Sequence, residues 1–454
     1  MPNVFPGRIV VHIAHVLILF LLFWAYTAVA VAAGPEQTSR QQWTLEQAVH
    51  QALAHNPDSE AARQRIVQAQ TALEQAKAGL YPHLSLNGGY TRTNTPLLSF
   101  GNILNQGQFS EAIDFNRPGT TDSIFGQIML RYQLFNGGRN QAARLAAGKG
   151  LEAAVAQEQV TREQLSLEVI RSFHTILQAR ANTAARRAAA ASLKKSLDTA
   201  RARFQEGTLL KEEVLMLEVE QAGSDEALVQ ARHSERLARQ AMAVLLGEMP
   251  SELQLVEHDQ DGLSIPEEGR ALQRPEQAAM EYMVAAQEAA LTQAKAARYP
   301  NADAFASYQV EQGTAMDEGS GDSWAAGLRL SQTLFDGKGT RAAIAREEAR
   351  LAELHAQAQK LKLALALETE EARLNLTQET EKLSVSERRL QSAQESTRLT
   401  RLRFQEGLCT SSELIDAEKR LAEAEAAHAQ AKHGRRIAIA QLRRSYGLPQ
   451  LDPQ

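Results

Sequence analysis

The pentapeptide Arg203-Phe204-Gln205-Glu206-Gly207 returns unchanged, 200 residues later, as Arg403-Phe404-Gln405-Glu406-Gly407. Each copy ends a long stretch rich in Ala, Leu, Glu and Arg, and each is followed within a few residues by a shorter stretch of the same kind. Glycine supplies the left-handed backbone that stops a helix. A short link between two helices makes them antiparallel neighbours. The two pentapeptides therefore read as the tips of two helical hairpins.

Other landmarks repeat in the same order. Leu134-Phe135-Asn136-Gly137-Gly138 is matched by Leu334-Phe335-Asp336-Gly337-Lys338-Gly339, again 200 residues on. Gln75-Ala76-Lys77-Ala78, just before Tyr81-Pro82, is matched by Gln293-Ala294-Lys295-Ala296, just before Tyr299-Pro300, at a spacing of 218 residues. One unit has been duplicated. The first copy carries 18 more residues, all between the Tyr-Pro stop and the Leu-Phe turn.

In that interval the period changes from helical to alternating. Leu84, Leu86 and Tyr90 alternate with Ser85, Asn87 and Gly89, and Ile124, Ile128, Leu130, Tyr132 and Leu134 oppose Gln127, Arg131 and Gln133. In the second copy Ala302, Ala304, Ala306, Tyr308 and Val310 oppose Asp303, Ser307, Gln309 and Glu311, and Trp324, Ala326, Leu328 and Leu330 oppose Arg329 and Ser331. Period-2 alternation of this length predicts strands with one apolar and one polar face. Each repeat carries two, joined by a Gly/Asn/Asp-rich loop, so the chain has four.

The predicted layout is a first repeat over 34–247, with a short helix, a strand pair at 83–134, a long helix at 140–204 and a returning helix at 209–246. A Pro- and acid-containing linker follows at 248–273. The second repeat spans 274–447, with a helix at 275–299, strands within 301–334, a long helix at 340–404 and a last helix at 411–446; a tail covers 448–454. Thr44 is the candidate N-cap of the opening helix. Each long helix, about 65 residues or roughly 97 Å, nearly equals the sum of the two shorter helices of its repeat. The short helices therefore stack end to end beside the long one, and a repeat becomes a strand pair on a rod. Pro82 and Pro300 mark the junctions between helix and strand.

Residues 1–33 read as a signal peptide. Arg8 supplies positive charge, Ile9 to Ala33 is almost wholly apolar, and Ala30-Val31-Ala32 has the small-x-small pattern of a cleavage site. A retained anchor is the competing reading, since about 25 apolar residues can span a bilayer. After this segment no apolar run is long enough for a membrane helix, so any later membrane contact uses strands. A single cysteine, Cys409, rules out an internal disulfide. A net charge of −5 offers no general basic field, which argues against nucleic acid as a partner. The 11 histidines are scattered, His428 and His433 are five apart and off one helical face, and no zinc-type spacing or catalytic signature stands out. No cofactor, metal or enzymatic activity is expected.

Four amphipathic strands cannot close a membrane barrel, whose smallest forms use about eight, and open edges are not viable in lipid. Closure must come from other copies. The chain resembles the TolC family of outer-membrane efflux proteins over essentially its whole mature length. The resemblance rests on Trp43-Thr44-Leu45-Glu46-Gln47-Ala48, the Tyr-Pro stops, Leu134-Phe135-Asn136-Gly137-Gly138 and the Gly-containing tips. It implies a mainly α protein with a membrane β-barrel. Three copies, at four strands each, form a barrel of about 12 strands in the outer membrane, above an α-barrel of 12 helices in the periplasm. It implies passive export, by efflux or type I secretion, driven by an inner-membrane pump of the RND, ABC or MFS type through a periplasmic adaptor.

The resemblance also points to residues. Gly207, Thr208, Leu209, Gly407 and Leu408 fall where family tips meet the adaptor. Glu413 and Asp416, three apart on one helical face, match two aspartates that narrow the tunnel entrance of a well-studied member. Three copies would give a carboxylate ring that attracts cations. Glu213 matches Glu413 in the first repeat, where Met216 replaces the second acid. Cys409 and Phe404 stand where that member has an arginine and a tyrosine, so its tip lock is not expected to carry over. On residues alone the gate acids are equally a solvated helix face. Two other classes compete: an exported adaptor, which normally has one hairpin and a lipoyl-like domain, and a structural coiled coil without pore activity.

Overall fold

The computed structural model describes residues 42–247, 254–257, 263–266, 273–315 and 318–451. The signal-peptide reading and most of the linker fall outside the described residues. The chain opens with a two-residue strand β1 (Gln42–Trp43), then helices α1 (Leu45–His55) and α2 (Pro57–Ala78), strand β2 (His83–Thr93), helix α3 (Pro96–Asn105) and strand β3 (Thr121–Phe135). The first hairpin is α4 (Arg139–Gln205) and α5 (Lys211–Leu245), followed by β4 (Gln254–Leu255). The second repeat runs α6 (Pro275–Lys295), β5 (Asn301–Gly313), β6 (Gly319–Ser331), α7 (Gly339–Gln405) and α8 (Ser411–Ser445). The two long helices have 67 residues each and the two returning helices 35 each, so both hairpins keep the 200-residue spacing to the residue.

Local chemistry sets these boundaries. Thr44 caps α1 in a reciprocal box: its hydroxyl accepts from Gln47 N, and the Gln47 side chain accepts from Thr44 N. Asn56 caps α2 through Asp58 N, and its amide donates to Leu245 O at 2.9 Å, fixing the start of α2 to the end of α5. At α7 the N-cap Lys338 makes no side-chain bond, and Asp336, two residues earlier, accepts from Thr340 N and Oγ1 in the first turn. Pro82 lies between the end of α2 and β2. Pro300 lies between a 3₁₀ turn (Ala296–Arg298) and β5.

The four long strands form one antiparallel sheet in the order β2-β3-β5-β6. Its register places Leu84, Leu86, Ile128, Tyr132, Tyr308 and Leu328 on one face, and all are exposed. The other face is mainly polar: it carries Asn87, Gln127, Gln309 and Ser323, with Gln127 donating to Gln309 at 3.3 Å, and among them Phe125, Met129 and Phe305. A face exposed and apolar in one chain is a face built for lipid. Among the described residues no helix is long and apolar enough to cross a membrane.

Two features depart from the expected layout. The connection between β2 and β3 is not merely a Gly/Asn/Asp-rich loop; it contains α3, opened by Pro96 at the first turn. Also, β6 stops at Ser331 whereas β3 continues to Phe135. The reason is pairing: β5 accompanies β3 through a bulge to Phe135, whereas β6 is an edge strand and Leu334 and Phe335 have no neighbour.

The rods are held at mid-height by one apolar cluster. Leu45, Val49 and Ala52 of α1 meet Ile170, Phe173 and Ile176 of α4, with Met242 of α5 and Ile439 of α8. Each large side chain of this kind, fully buried, contributes about 1.5–3 kcal/mol. The β1–β4 pair, parallel at Gln42↔Gln254, ties the start of the described chain to the linker. Arg274 and Arg444 both pair with Glu276 and Glu368 at 2.7–3.1 Å, locking α6, α7 and α8 together.

Candidate functional site

At the far end of the rods from the sheet, the two tips lie side by side on a second apolar cluster. Leu193 and Leu197 of α4, Leu217 of α5, Phe404 of α7, and Leu414 and Ile415 of α8 form it. Each tip turns through a glycine in the left-handed region, Gly207 at φ 75° and Gly407 at φ 78°. Thr208 N donates to Arg203 O at 2.9 Å, and Leu408 N donates to Arg403 O at 2.7 Å, which satisfies the last carbonyl groups of the long helices.

The identical pentapeptides have different surroundings. Phe404 is 2% exposed, whereas Phe204 is 42% exposed. Arg203 reaches across from the first tip and donates to Phe404 O at 3.1 Å, with its guanidinium 6.0 Å from the Phe404 ring centre. Arg403 stays on its own tip. It donates to Leu408 O at 3.0 Å and pairs with Glu413 at 3.4 Å.

The acidic candidates separate. Glu213, half-buried, accepts from Ser411 N at 2.8 Å and so caps α8 of the other repeat, where a carboxylate also meets the positive end of the helix dipole. Glu413 and Asp416 are exposed on α8, Asp416 standing 3.8 Å from Arg420. Gly207, Thr208, Gly407 and Leu408 are exposed at the tips, while Leu209 is half-buried against the apolar cluster. Burial, reinforced by Glu413, pushes the Cys409 thiol up, so it remains protonated, with Sγ 3.6 Å from Thr400 O.

Sequence reading missed two buried polar centres. Glu418 of α8 is 2% exposed and receives Arg401 Nε at 2.6 Å, Arg401 Nη2 at 2.7 Å and the Ser192 hydroxyl at 2.7 Å. Higher up, His174 of α4 and His433 of α8 face each other with Nδ1 to Nδ1 at 3.4 Å, both buried. Burial, then the neighbouring His433, Arg436 and Lys432, pull His174 down to about 3. The spacing of His428 and His433 along one helix carries no trace of this pair, because the partner of His433 lies 259 residues away on another helix.

A duplicated rod carrying a four-stranded sheet, apolar on its outer face and polar on its inner face, defines an outer-membrane channel protein whose helices extend into the periplasm. A model of the outer membrane efflux protein family matches residues 48–248 and 270–448, and the chain belongs to that family. The pyoverdine export outer membrane protein OpmQ of Pseudomonas aeruginosa is 26% identical over 439 residues, covering 94% of this chain and 89% of OpmQ. The fold is shared with the outer membrane channel CmeC of Campylobacter jejuni, at 16% identity and a TM-score of 0.77 over 92% of this chain and 90% of CmeC. It is also shared with the outer membrane protein VceC of Vibrio cholerae, at 22% identity and a TM-score of 0.71 over 89% of this chain and 96% of VceC. The chain is therefore an outer-membrane efflux channel.

Proposed function

We propose that three copies close into a barrel of about 12 strands continuous with a tunnel of 12 helices, and that this duct passively passes cargo to the outside. The observation that carries the reading is an unmatched packing surface. Within one chain α4 packs against α8, but α7, its repeat equivalent, has no comparable α5 to pack on. The residues concerned pair off across the repeat: Leu167 is 7% exposed and Leu367 is 59%, while Ile415 is 7% exposed and Leu215 is 49%. The edges β2 and β6 are unpaired in the same sense. A contact made once inside the chain and left open at its equivalent position is heterologous, and a heterologous contact that closes makes a ring.

The tip is the inner mouth of this duct. Gly207, Thr208, Leu209, Gly407 and Leu408 offer a small, partly apolar surface to a periplasmic adaptor, which couples the channel to an inner-membrane pump of the RND, ABC or MFS type. With Glu213 engaged as a helix cap, Glu413 and Asp416 are the exposed carboxylates left for a cation-favouring entrance, each standing beside an arginine, Arg403 and Arg420, that moderates its charge. The family supports efflux over polypeptide secretion, and OpmQ carries its export role in its name.

The test is chemical cross-linking of the detergent-extracted protein followed by single-channel recording in planar bilayers. A trimer that conducts is expected. A monomer, or a trimer that never conducts after its tip is opened, would overturn the reading.

A further inference from the structure

Helix α3 occupies a position that the export reading does not use. It follows β2 at the end of the sheet remote from the rods, which is the cell-exterior end of a channel whose helices lie in the periplasm. Its contacts are all on one face of the sheet. Asn102 donates to Thr121 Oγ1 at 3.1 Å, and Asn105 donates to Glu311 at 3.3 Å. Thr121, Glu311, Gly313, Gly319 and Gly321 share the face that carries Gln127 and Gln309, the polar inner face. The lipid face is left clear.

The seat is shaped for the helix. A Cβ at Gly321 would collide with the Asn105 carbonyl oxygen, and one at Gly319 would lie 2.7 Å from the Gln106 carbonyl oxygen. Glycine at these two places lets the end of α3 lie directly on the strands. Ser99 anchors the other end through Thr93 O and Gly119 O, both at 2.9 Å, and Gln106 donates to Asp122 O at 2.8 Å. The buried polar groups beneath α3 are thus satisfied, as a seated element requires.

The outer side of α3 is different in kind. No charged residue occurs from Thr93 to Ser110. Leu97, Leu98 and Leu104 are exposed, and Phe100, Phe109 and Phe115 form an aromatic cluster beside them with ring centres 4.4–6.4 Å apart. This apolar surface, bordered at Phe115 by the exposed charges of Glu111, Asp114 and Arg117, is held over the inner wall and faces the axis and not the lipid.

We propose that α3 is a lid on the outward mouth of the channel, a seated apolar shutter that limits the size of what passes at that end. One α3 from each chain narrows the mouth without filling it, so the constriction is apolar, its outer side stays open to solvent, and it is independent of the acidic entrance at the tip. This rests on the channel reading above.

The test uses the full chain in intact cells in a Cys409→Ala background. Gln309→Cys lies on the inner face beneath the lid and Leu104→Cys on its outer side. A small membrane-impermeant thiol reagent should label both, and a bulky polymer-linked maleimide should label Leu104→Cys at least about tenfold faster than Gln309→Cys, because a seated lid opens only transiently. Unseating α3 with Gly321→Val, or replacing 96–116 by a short Gly/Ser link, should remove that difference. Equal labelling of the two sites by the bulky reagent in the otherwise unaltered channel overturns the lid, without reliance on either unseating variant. Failure of the small reagent to reach Gln309→Cys while it labels Leu104→Cys overturns the channel reading itself.

Discussion

Arg401 of α7 grips both carboxylate oxygens of the buried Glu418 of α8, at 2.6 and 2.7 Å, whereas Arg201 and Glu218, their repeat equivalents, meet through one oxygen, at 2.7 and 3.3 Å, on an exposed surface. Chemistry and spacing are the same; burial is not. Glu418 is buried but Arg401 is 40% exposed, so removing Arg401 strands a buried carboxylate that solvent reaches from one side. The cost falls below the ~3–5 kcal/mol of a fully buried pair yet above the ~0–1 kcal/mol of an exposed one. Arg401→Ala should therefore loosen the tip, raising amide hydrogen exchange over the first half of α8, and Arg201→Ala should leave it near its original rate. Equal effects of the two substitutions would show that the repeats are energetically equivalent, against the structure.

The His174–His433 pair makes the waist of the rod acid-sensitive. His174 keeps its proton off in the folded chain down to about 3, against an ordinary value of 6.5. Above 6.5 folded and unfolded chains are both neutral at this site, and the pair's stabilisation is complete. As pH falls below 6.5 the unfolded chain binds a proton that the folded chain refuses, so stability falls by about 1.4 kcal/mol per pH unit until the folded value is reached. Lys432 and Arg436 work in the same direction, and Glu257, held by Lys432 at 2.8 Å, opposes them at His433. Heat dissociation of the assembled channel should fall in temperature between pH 7 and 5. His174→Gln should flatten that slope; an unchanged slope would remove His174 as its source.

The duplication, the four strands and their two faces were legible because each is written locally. Leu84 and Leu86 alternate with Ser85 and Asn87 whatever the rest of the chain does, and Gly207 and Gly407 stop helices by backbone geometry alone. What the sequence hid depends on environment or distance. Glu218 and Glu418 sit in equivalent positions, and only packing against Ser192 and α4 buries the second. His174 and His433 are joined across 259 residues. Helix α3 did leave a signal, Pro96 followed by Leu97, Phe100 and Leu104 at helical spacing, but its position between two strands made a loop the default.

Glu213 tests whether a residue expected at the gate is instead structural. Its carboxylate meets Ser411 N at 2.8 Å, and Thr410 separately caps Glu413 N. Glu213→Ala removes one of two caps from α8 and should cost about 1 kcal/mol, seen as faster proteolysis near Thr410. Glu213→Gln, which can still accept the hydrogen bond, should restore most of the protection. Cation selectivity of the open channel should not change with Glu213→Gln, whereas Asp416→Asn should lower it.

Repeat equivalence assigns a partner to Glu413. Within one chain Glu213 of the first repeat caps Ser411 of the second. Moved by 200 residues, the same contact joins Glu413 to Lys211, and these do not meet inside the chain, where Glu413 turns back to Arg403 at 3.4 Å. In a closed ring the Lys211 backbone of the neighbouring copy is the group left to fill that place. With Cys409→Ala as background, the pair Glu413→Cys and Lys211→Cys should oxidise to a disulfide between copies and run as dimers and trimers on a non-reducing gel. The equivalent pair Glu213→Cys and Ser411→Cys should oxidise equally well and remain monomeric. A ladder from the first pair commits Glu413 to holding the ring and leaves Asp416 as the gate carboxylate. Monomer from both pairs under full oxidation would mean that the tips do not close on each other by this contact, returning Glu413 to the entrance.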